Sequence, residues 1–321
     1  MGRILITGGS GFIGTNLIDS YLRDGWEVRN LDLVEPRKID HVVLWERVDV
    51  RDAAALSQAV CDFRPTLVVH LAARTDLDGA NLQAYDTNLA GVENLLAAVR
   101  AAGTAERLMV ASSRYVHCNE YSPRREDDYS PFTLYGESKV RTERIVRASN
   151  LEIPWTLIRP TSIWGPWFRI PYRTFFDTVR LGLYMHPEGA RIRKAYGYVG
   201  NVVHQMRAML HAPADQIGRR TFYVSDDGPM DVLEFAQLIQ QAFHAPPVRQ
   251  APTALLHGLA RVGDGMKRVG FKNPPLTSFR LKNLLTNMDF DLSATTQVAG
   301  PAPFSLRLGV EQTVEWMKAH G

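Results

Sequence analysis

The sequence predicts an α/β chain built on a doubly wound parallel sheet, and three observations carry that prediction. Short apolar runs alternate with helix-like stretches through the first half of the 321 residues. The first run ends in glycines three residues apart, at Gly8, Gly11 and Gly14, and the second ends in an acid, Asp32. Repeated strand–helix–strand alternation builds a parallel sheet covered by helices on both faces. A smaller α/β part with a more basic composition follows.

The first strand, 3–7, centres on Ile4, Leu5 and Ile6, after which Asn16, Leu17, Ile18, Tyr21 and Leu22 recur at helical spacing. Gly8 permits a turn that a Cβ would obstruct, Gly11 lets main-chain N–H groups approach a pyrophosphate, and Gly14 lets the helix settle onto the strand. The helix opens with Phe12 and Ile13, so its positive end faces the phosphates. Glycines alone also fit an ordinary β–α turn. Asp32 closes the second strand, 27–32, at the distance of a carboxylate that binds an adenosine ribose, which makes this a Rossmann-type dinucleotide unit. That carboxylate accepts from a ribose 2′-OH and repels a 2′-phosphate, so NAD is expected over NADP, with Arg37 and Lys38 the only nearby counter-argument.

Further strands are predicted at 44–48, 66–70, 107–111 and 156–159, with helices clearest at 52–61, 82–102 and 133–149. Ligands of such sheets lie beyond the carboxyl ends of the strands, so the loops there are where chemistry is expected. After the third strand, Asp49 and Val50 place a carboxylate able to accept from an adenine amino group, or to cap the next helix. After the fourth, Leu71, Ala72 and Ala73 are small enough for close approach of a ligand or for tight packing. Ser112 and Ser113 follow the fifth, and Pro160 to Pro166, including Ser162, the sixth. In the helix 133–149, Tyr135 and Lys139 stand four apart and share one face. An ammonium beside a phenol, together with a positive nicotinamide, favours the phenolate, which can take a proton from a substrate hydroxyl whose carbon yields hydride. Ser113 is expected to bond that same oxygen.

The bulk numbers narrow the field. Lys plus Arg (37) nearly balance Asp plus Glu (34), which argues against nucleic-acid or membrane binding and makes any basic patch local. The cysteines, Cys61 and Cys118, give neither a disulfide framework nor a metal cluster, so no metal is expected and a reducing cytoplasm is the expected compartment. The chain opens on the glycine-rich unit with no room for a signal peptide, and the most apolar late run, 255–271, is interrupted by Arg261, Asp264, Lys267 and Arg268.

The residues Thr7 to Gly14, Asp32, Asp49-Val50, His70 to Ala73, Asn88-x-x-Gly91-Val92-x-Asn94-Leu95-Leu96, Ser112-Ser113, Tyr135 to Lys139 and Arg159-Pro160 resemble, in order and spacing, the extended short-chain dehydrogenase/reductases of the NAD-dependent epimerase/dehydratase family. The likeness runs from residue 3 to about 166 and resumes at Tyr198 to Val202, Thr221 to Ser225 and Gly309 to Trp316. It implies that Ser113 and Tyr135 are catalytic, that Lys139 binds the nicotinamide ribose and that Asn88 supports the site. It implies too that residues 1–162 bind NAD, with a segment near 195–212 returning to them, and that 163–321 mainly bind substrate. Departures refine it. Arg114 and Tyr115 stand where sugar dehydratases carry an Asp-Glu pair, which disfavours dehydration; Cys118 lies three residues beyond a cysteine found in epimerase-reductases; Ser162 replaces an asparagine of the Arg-x-x-Asn motif.

From Trp164 onward, Arg169, Arg173, Arg180, Arg191, Arg193 and Lys194 interleave with Trp167, Phe168, Tyr172, Phe175 and Tyr184. That mix suits a diphosphate and a stacked base, or equally a charged surface over an aromatic core. The resemblance aligns Lys194 with a diphosphate-binding arginine, Arg193 being one residue away; Ser113, Arg114 and Ser162, with Arg169 and Arg173 from this basic stretch, are the other expected substrate contacts. It favours a nucleotide-sugar epimerase passing through a keto intermediate, with a ketosugar reductase or dehydrogenase close behind. Tyr198-Val199-Gly200-Asn201 resembles the 3β-hydroxysteroid dehydrogenase branch instead, and some relatives only sense NAD, although those lose the Tyr-x-x-x-Lys pair. A homodimer through 81–102 and the Tyr135 helix is implied. The Pro- and Gly-rich stretch 245–280 has no path readable from its pattern.

Overall fold

The computed structural model describes residues 2–118, 121, 123–170, 172–271, 274 and 276–320. Two compact units divide it. The first comprises Met1–Trp167, Gly197–Asp227 and Asp291–Pro303; the second comprises Phe168–Tyr196, Gly228–Phe290 and Phe304–Gly321.

The first unit holds the sheet. Its strands are β1 (Arg3–Thr7), β2 (Glu27–Asp32), β3 (Trp45–Arg47), β4 (Leu67–His70), β5 (Arg107–Ala111), β6 (Trp155–Pro160) and a last strand Arg220–Val224. Across the sheet the order is Arg220–Val224, β6, β5, β4, β1, β2, β3, and each neighbouring pair is parallel. The chain steps outward from β1 to β3, then returns to β4 on the other side of β1. This is a Rossmann-type doubly wound sheet, and the reversal opens a crevice at the carboxyl ends of β1 and β4.

The helices between are α1 (Phe12–Arg23), α2 (Ala53–Phe63), α3 (Asp86–Ala102) and α4 (Leu134–Ala148). The helix α3 packs between α2 and α4 over a buried layer that includes Leu5, Val60, Val68, Val92, Leu95, Val110 and Leu157. On its own side, α1 meets the returning helix Val199–His211. Predicted and observed ends differ by a residue where a side chain caps the helix from outside. Asp52 accepts from the Ala54 and Ala55 amides at 3.1 and 3.0 Å, and Thr133 accepts from Gly136 at 2.9 Å. The run predicted as one helix over 82–102 breaks at Tyr85 into a short 3₁₀ turn, Leu82–Tyr85, and α3. There the Tyr85 hydroxyl donates to the Asp76 carbonyl at 2.8 Å, and Arg74 takes the Ala84 carbonyl at 3.0 Å, so these groups bind a loop in place of a continuing helix.

The second unit pairs Arg193–Lys194 antiparallel with Met230–Asp231, and Arg249–Ala251 parallel with Met185–Pro187. Its helices include Tyr172–Arg180, Val232–Phe243, Thr253–Arg268, Ser278–Leu285 and Leu306–His320. Asp231 caps the second of these by accepting from Leu233 and Glu234. Of the two readings of the aromatic stretch, the core wins at these positions: Phe168 packs edge-on to Phe176 at 5.1 Å and Phe175 stacks on Phe235 at 5.6 Å.

Candidate active site

Gly8 ends β1 at φ +73°, and a Cβ there would lie 2.5 Å from the Ala72 nitrogen. Only glycine therefore lets β1 meet the turn after β4. A Cβ on Gly14 would stand 2.6 Å from the Gly9 Cα, which is why α1 can come down so closely on β1. Gly11 differs: within 4 Å its missing Cβ would meet only the Gly8 carbonyl, at 3.1 Å, so its main chain is open to a ligand just before Phe12 and Ile13 begin α1. Asp32 is fixed above this loop, its carboxylate accepting from Ser10 and Val34 amides at 3.0 Å each. Lys38 bonds Asp19 at 2.6 Å, which removes one of the two cations that argued for a 2′-phosphate. This open loop with an acid at the end of the neighbouring strand fits a dinucleotide.

Around it, Leu71 N donates to Thr7 O at 2.9 Å and Ala72 N to Thr7 Oγ1 at 3.4 Å, with Ala73 next in the same half-buried turn. Val50 is buried against Gly91 of α3, where a Cβ would come within 2.7 Å of its Cγ2. Asp49 is gripped by Arg51, the shortest contact being 2.6 Å, and that hydrogen bond holds its carboxyl below the usual range. An adenine amino group would share this carboxylate with a guanidinium.

Tyr135 lies buried in the first turn of α4, edge-on to Tyr115 at 5.8 Å and 6.2 Å from Tyr85. The next residue has to be glycine, since a Cβ on Gly136 would fall 2.3 Å from the Tyr115 carbonyl. Lys139, also buried, donates from Nζ to the Ala111 carbonyl at the end of β5 at 2.8 Å. Burial pushes its ammonium down to about 8, with the Glu143 carboxylate pulling the other way. Ser113 follows β5, buried, its Oγ accepting from Tyr115 N at 3.2 Å. Asn88 braces the group. Its Oδ1 accepts from Arg74 N at 2.8 Å, its Nδ2 donates to Ser138 Oγ at 2.9 Å, and that hydroxyl donates to the Tyr135 carbonyl at 2.7 Å. His70 bonds Thr7 Oγ1 at 2.7 Å; burial, and then the charge of Lys139, push it down to about 3, so the ring is neutral at physiological pH. Beyond β6, Pro160 is half-buried and Ser162 is buried in the short strand Ser162–Trp164.

The residues expected to touch substrate fall in two groups. Arg114 is buried in the first unit with its guanidinium 4.3 Å from the Tyr115 ring centroid. Arg169, exposed, Arg173, 3.6 Å from Asp177, and Lys194 belong to the second. Lys194, expected to meet a diphosphate, is tied to its own unit. It is buried, and its ammonium donates to the Asn283 carbonyl at 2.5 Å and to that of Thr286, closing the end of Ser278–Leu285. The neighbouring Arg193 is exposed, and its guanidinium donates to the Pro229 carbonyl at 3.1 Å.

Two features escaped the sequence reading. Glu143, fully buried, receives Arg159 in a two-pronged pair at 2.8 and 2.8 Å, Ser112 Oγ at 2.5 Å and the Tyr129 hydroxyl at 2.9 Å. The signal was present, because Glu143 sits one turn beyond Lys139 on the same helical face. The second is the acidic run 126–128, which by its charge reads as a solvated loop. Glu126 instead accepts from Thr221 N at 3.0 Å, and Asp128 from the Tyr121 hydroxyl at 2.6 Å, so two of the three acids tie the loop down.

A sequence model of the NAD dependent epimerase/dehydratase family matches residues 4–224. The chain belongs to this family. It is an NAD-dependent epimerase or oxidoreductase, and NAD is its cofactor. Over 99% of its length it is 26% identical to the N-acetyl-alpha-D-glucosaminyl-diphospho-ditrans,octacis-undecaprenol 4-epimerase of Escherichia coli O157:H7, covering 96% of that protein. Over 74% it is 30% identical to a 3-beta-hydroxysteroid dehydrogenase of Mycolicibacterium neoaurum, covering 69%. Its fold is shared with the UDP-glucose 4-epimerase of Thermus thermophilus solved with NAD, at a TM-score of 0.73 and 23% identity over 99% of this chain and 100% of that one. Among the described residues no helix is long and apolar enough to cross a membrane, and no group of His, Cys, Asp and Glu could hold a metal ion.

Proposed function

We propose that this family member epimerises a sugar carried on a diphosphate, a nucleotide sugar in the first instance, through a keto intermediate. The observation that carries the reading is the braced set Ser113, Tyr135 and Lys139 beside the crevice at β1 and β4. NAD, when bound, would supply a reversible hydride acceptor for the carbinol carbon. Tyr135 accepts the hydroxyl proton and later returns it, Ser113 donates to the same oxygen, and Lys139, held by Ala111, keeps a positive charge one turn below the phenol. The glycine loop with Phe12 and Ile13, Asp32, Val50, the turn Leu71, Ala72, Ala73, and Pro160 with Ser162 line the cofactor's path, while Arg114, Arg169, Arg173 and Arg193 serve the substrate. Asp32 supports an NAD that stays bound through a cycle with no net redox change. A diphosphate-linked sugar is also what the E. coli relative's name describes.

A second reading, oxidation of a 3β-hydroxysteroid, draws on Tyr198-Val199-Gly200-Asn201 and on the Mycolicibacterium relative. The two separate in one assay. Incubation with UDP-, GDP-, CDP- and dTDP-sugars, followed by proton NMR, is expected to yield an epimer without build-up of reduced nicotinamide. Stoichiometric reduced nicotinamide with a steroid, and no epimer from any sugar, overturns the proposal. Tyr135→Phe is expected to keep NAD binding and lose turnover by about two to four orders of magnitude; full activity removes Tyr135 from the chemistry. A two-fold dimer through α3 and α4 belongs to the same reading, and a monomer by light scattering refutes it.

A further inference from the structure

The helix Thr253–Arg268 carries three different flanks. Leu256, Ala260 and Gly263 are buried, the first two in a small core with Ala251 and Leu281. Beside them Leu255, Leu259 and Val262 recur at spacings of four and three and stay exposed, Val262 by 62%. Met266, half-buried, continues this stripe four residues on, and past the helix end Val269 and Phe271 prolong it, exposed by 86% and 54%. These last two are anchored, since Val269 N donates to Gly265 O at 3.2 Å and Phe271 N to Met266 O at 3.0 Å. A Cβ added at Gly258 or Gly265, next to the stripe, would meet nothing within 4 Å, so this flank is uncovered by the described chain.

The third flank is basic. His257, Arg261 and Arg268 share it and are exposed. From 249 to 283 the sequence carries seven Lys or Arg and one acid, Asp264, in a chain whose net charge is only +3, so the remainder is net acidic. Asp264 turns to its own unit and accepts from Ser278 N at 3.1 Å. The balanced total read from the sequence thus hides a strong local excess. A helix that exposes an apolar stripe and a flank of arginines suits the boundary between headgroups and acyl chains of an anionic bilayer, where the apolar side chains enter and the cations meet lipid phosphates. A second copy would bring the same cations against their equals, which disfavours self-pairing through this face.

We propose that the exposed side of Thr253–Arg268, with residues 269–271, is a peripheral docking surface for an anionic lipid bilayer. The proposal is independent of the substrate reading, since it is tested by binding alone. The full chain is sedimented with sucrose-loaded phosphatidylcholine vesicles, with and without one quarter phosphatidylglycerol. Roughly tenfold more protein is expected to pellet with the anionic vesicles, the excess falling as salt is raised. Val262→Glu is expected to lose that excess, and so is the pair Arg261→Glu with Arg268→Glu. All three side chains are exposed, so melting temperatures should stay at the wild-type value; if Val262→Glu fails to fold, the arginine pair still decides. Equal pelleting with both vesicles, or none with either, overturns the proposal. So does light scattering in which Val262→Glu converts a dimer to a monomer, which assigns the face to a second copy.

Discussion

Replacing Arg159 by methionine isolates the interaction that anchors α4 beneath the reacting side chains. The guanidinium and the Glu143 carboxylate are 2% and 0% exposed and share two parallel bonds of 2.8 Å. Removing the cation leaves a carboxylate in the interior with two neutral donors, Ser112 and Tyr129, and only the more distant Arg147, at 3.9 Å, to compensate it. Stranding a buried charge in this way costs about 3–5 kcal/mol. In a unit of this size each kcal/mol moves the midpoint by roughly 2–4 °C, so Arg159→Met should melt about 10 °C below wild type. Calorimetry on Arg159→Met, Glu143→Leu and the double variant closes a thermodynamic cycle. The double variant should regain much of the loss, because an apolar pair of similar volume often matches a buried ion pair. A single variant melting within about 2 °C of wild type, or a coupling below about 1 kcal/mol, would show that the pair does not hold the helix, and the reasoning would be wrong.

Three further outcomes follow from the site. Burial places Lys139 at about 8, below its unfolded value near 10.5, so the folded state binds fewer protons between those limits and stability rises across that window. Lys139→Met should therefore melt higher than wild type near pH 7, by about 2 kcal/mol after the lost bond to Ala111 is counted, with the gap closing toward pH 10; an unchanged or lower midpoint at pH 7 refutes it. Asp226 is raised by burial to about 6, and the Tyr198 amide and the Asn201 side chain donate to the same oxygen, Oδ1. Its contribution is present at low pH and lost as pH rises through about 6, so Asp226→Asn, which keeps that oxygen, should be about 1–2 kcal/mol more stable than wild type at pH 8 and equal to it near pH 4; a destabilised variant at pH 8 counts against this. Asp32→Ala should lower the preference for NAD over NADP by about tenfold in a binding titration, and an unchanged ratio would take Asp32 out of cofactor choice.

The sheet, its order of appearance and the glycine turn were legible because each depends on a local pattern: a short apolar run, a glycine that a Cβ would exclude, an acid at a strand end. Tyr135 and Lys139 were legible for the same reason, being one turn apart on one helix. What stayed hidden were pairings across long stretches of chain, such as Glu143 with Arg159 and Ser112, or Asp226 with Asn201. A charged side chain looks the same in sequence whether it meets water or a partner in the core. Lys194 shows the same from the other side, since a motif position finds a cation but not whether backbone carbonyls also hold it. Thr253–Arg268 was missed because its apolar residues face two directions, and their mixture with glycines and charges blurs a single period.

The hydrogen bonds described above for Tyr135, Lys139, Ser113 and Asn88 begin and end inside the first unit. Turnover and choice of molecule can consequently change on separate schedules. On the proposed function, substitutions among the arginines of the second unit would retune what is accepted while the proton-handling group stays intact, so laboratory redirection of this scaffold toward new alcohols would begin there and leave α4 untouched.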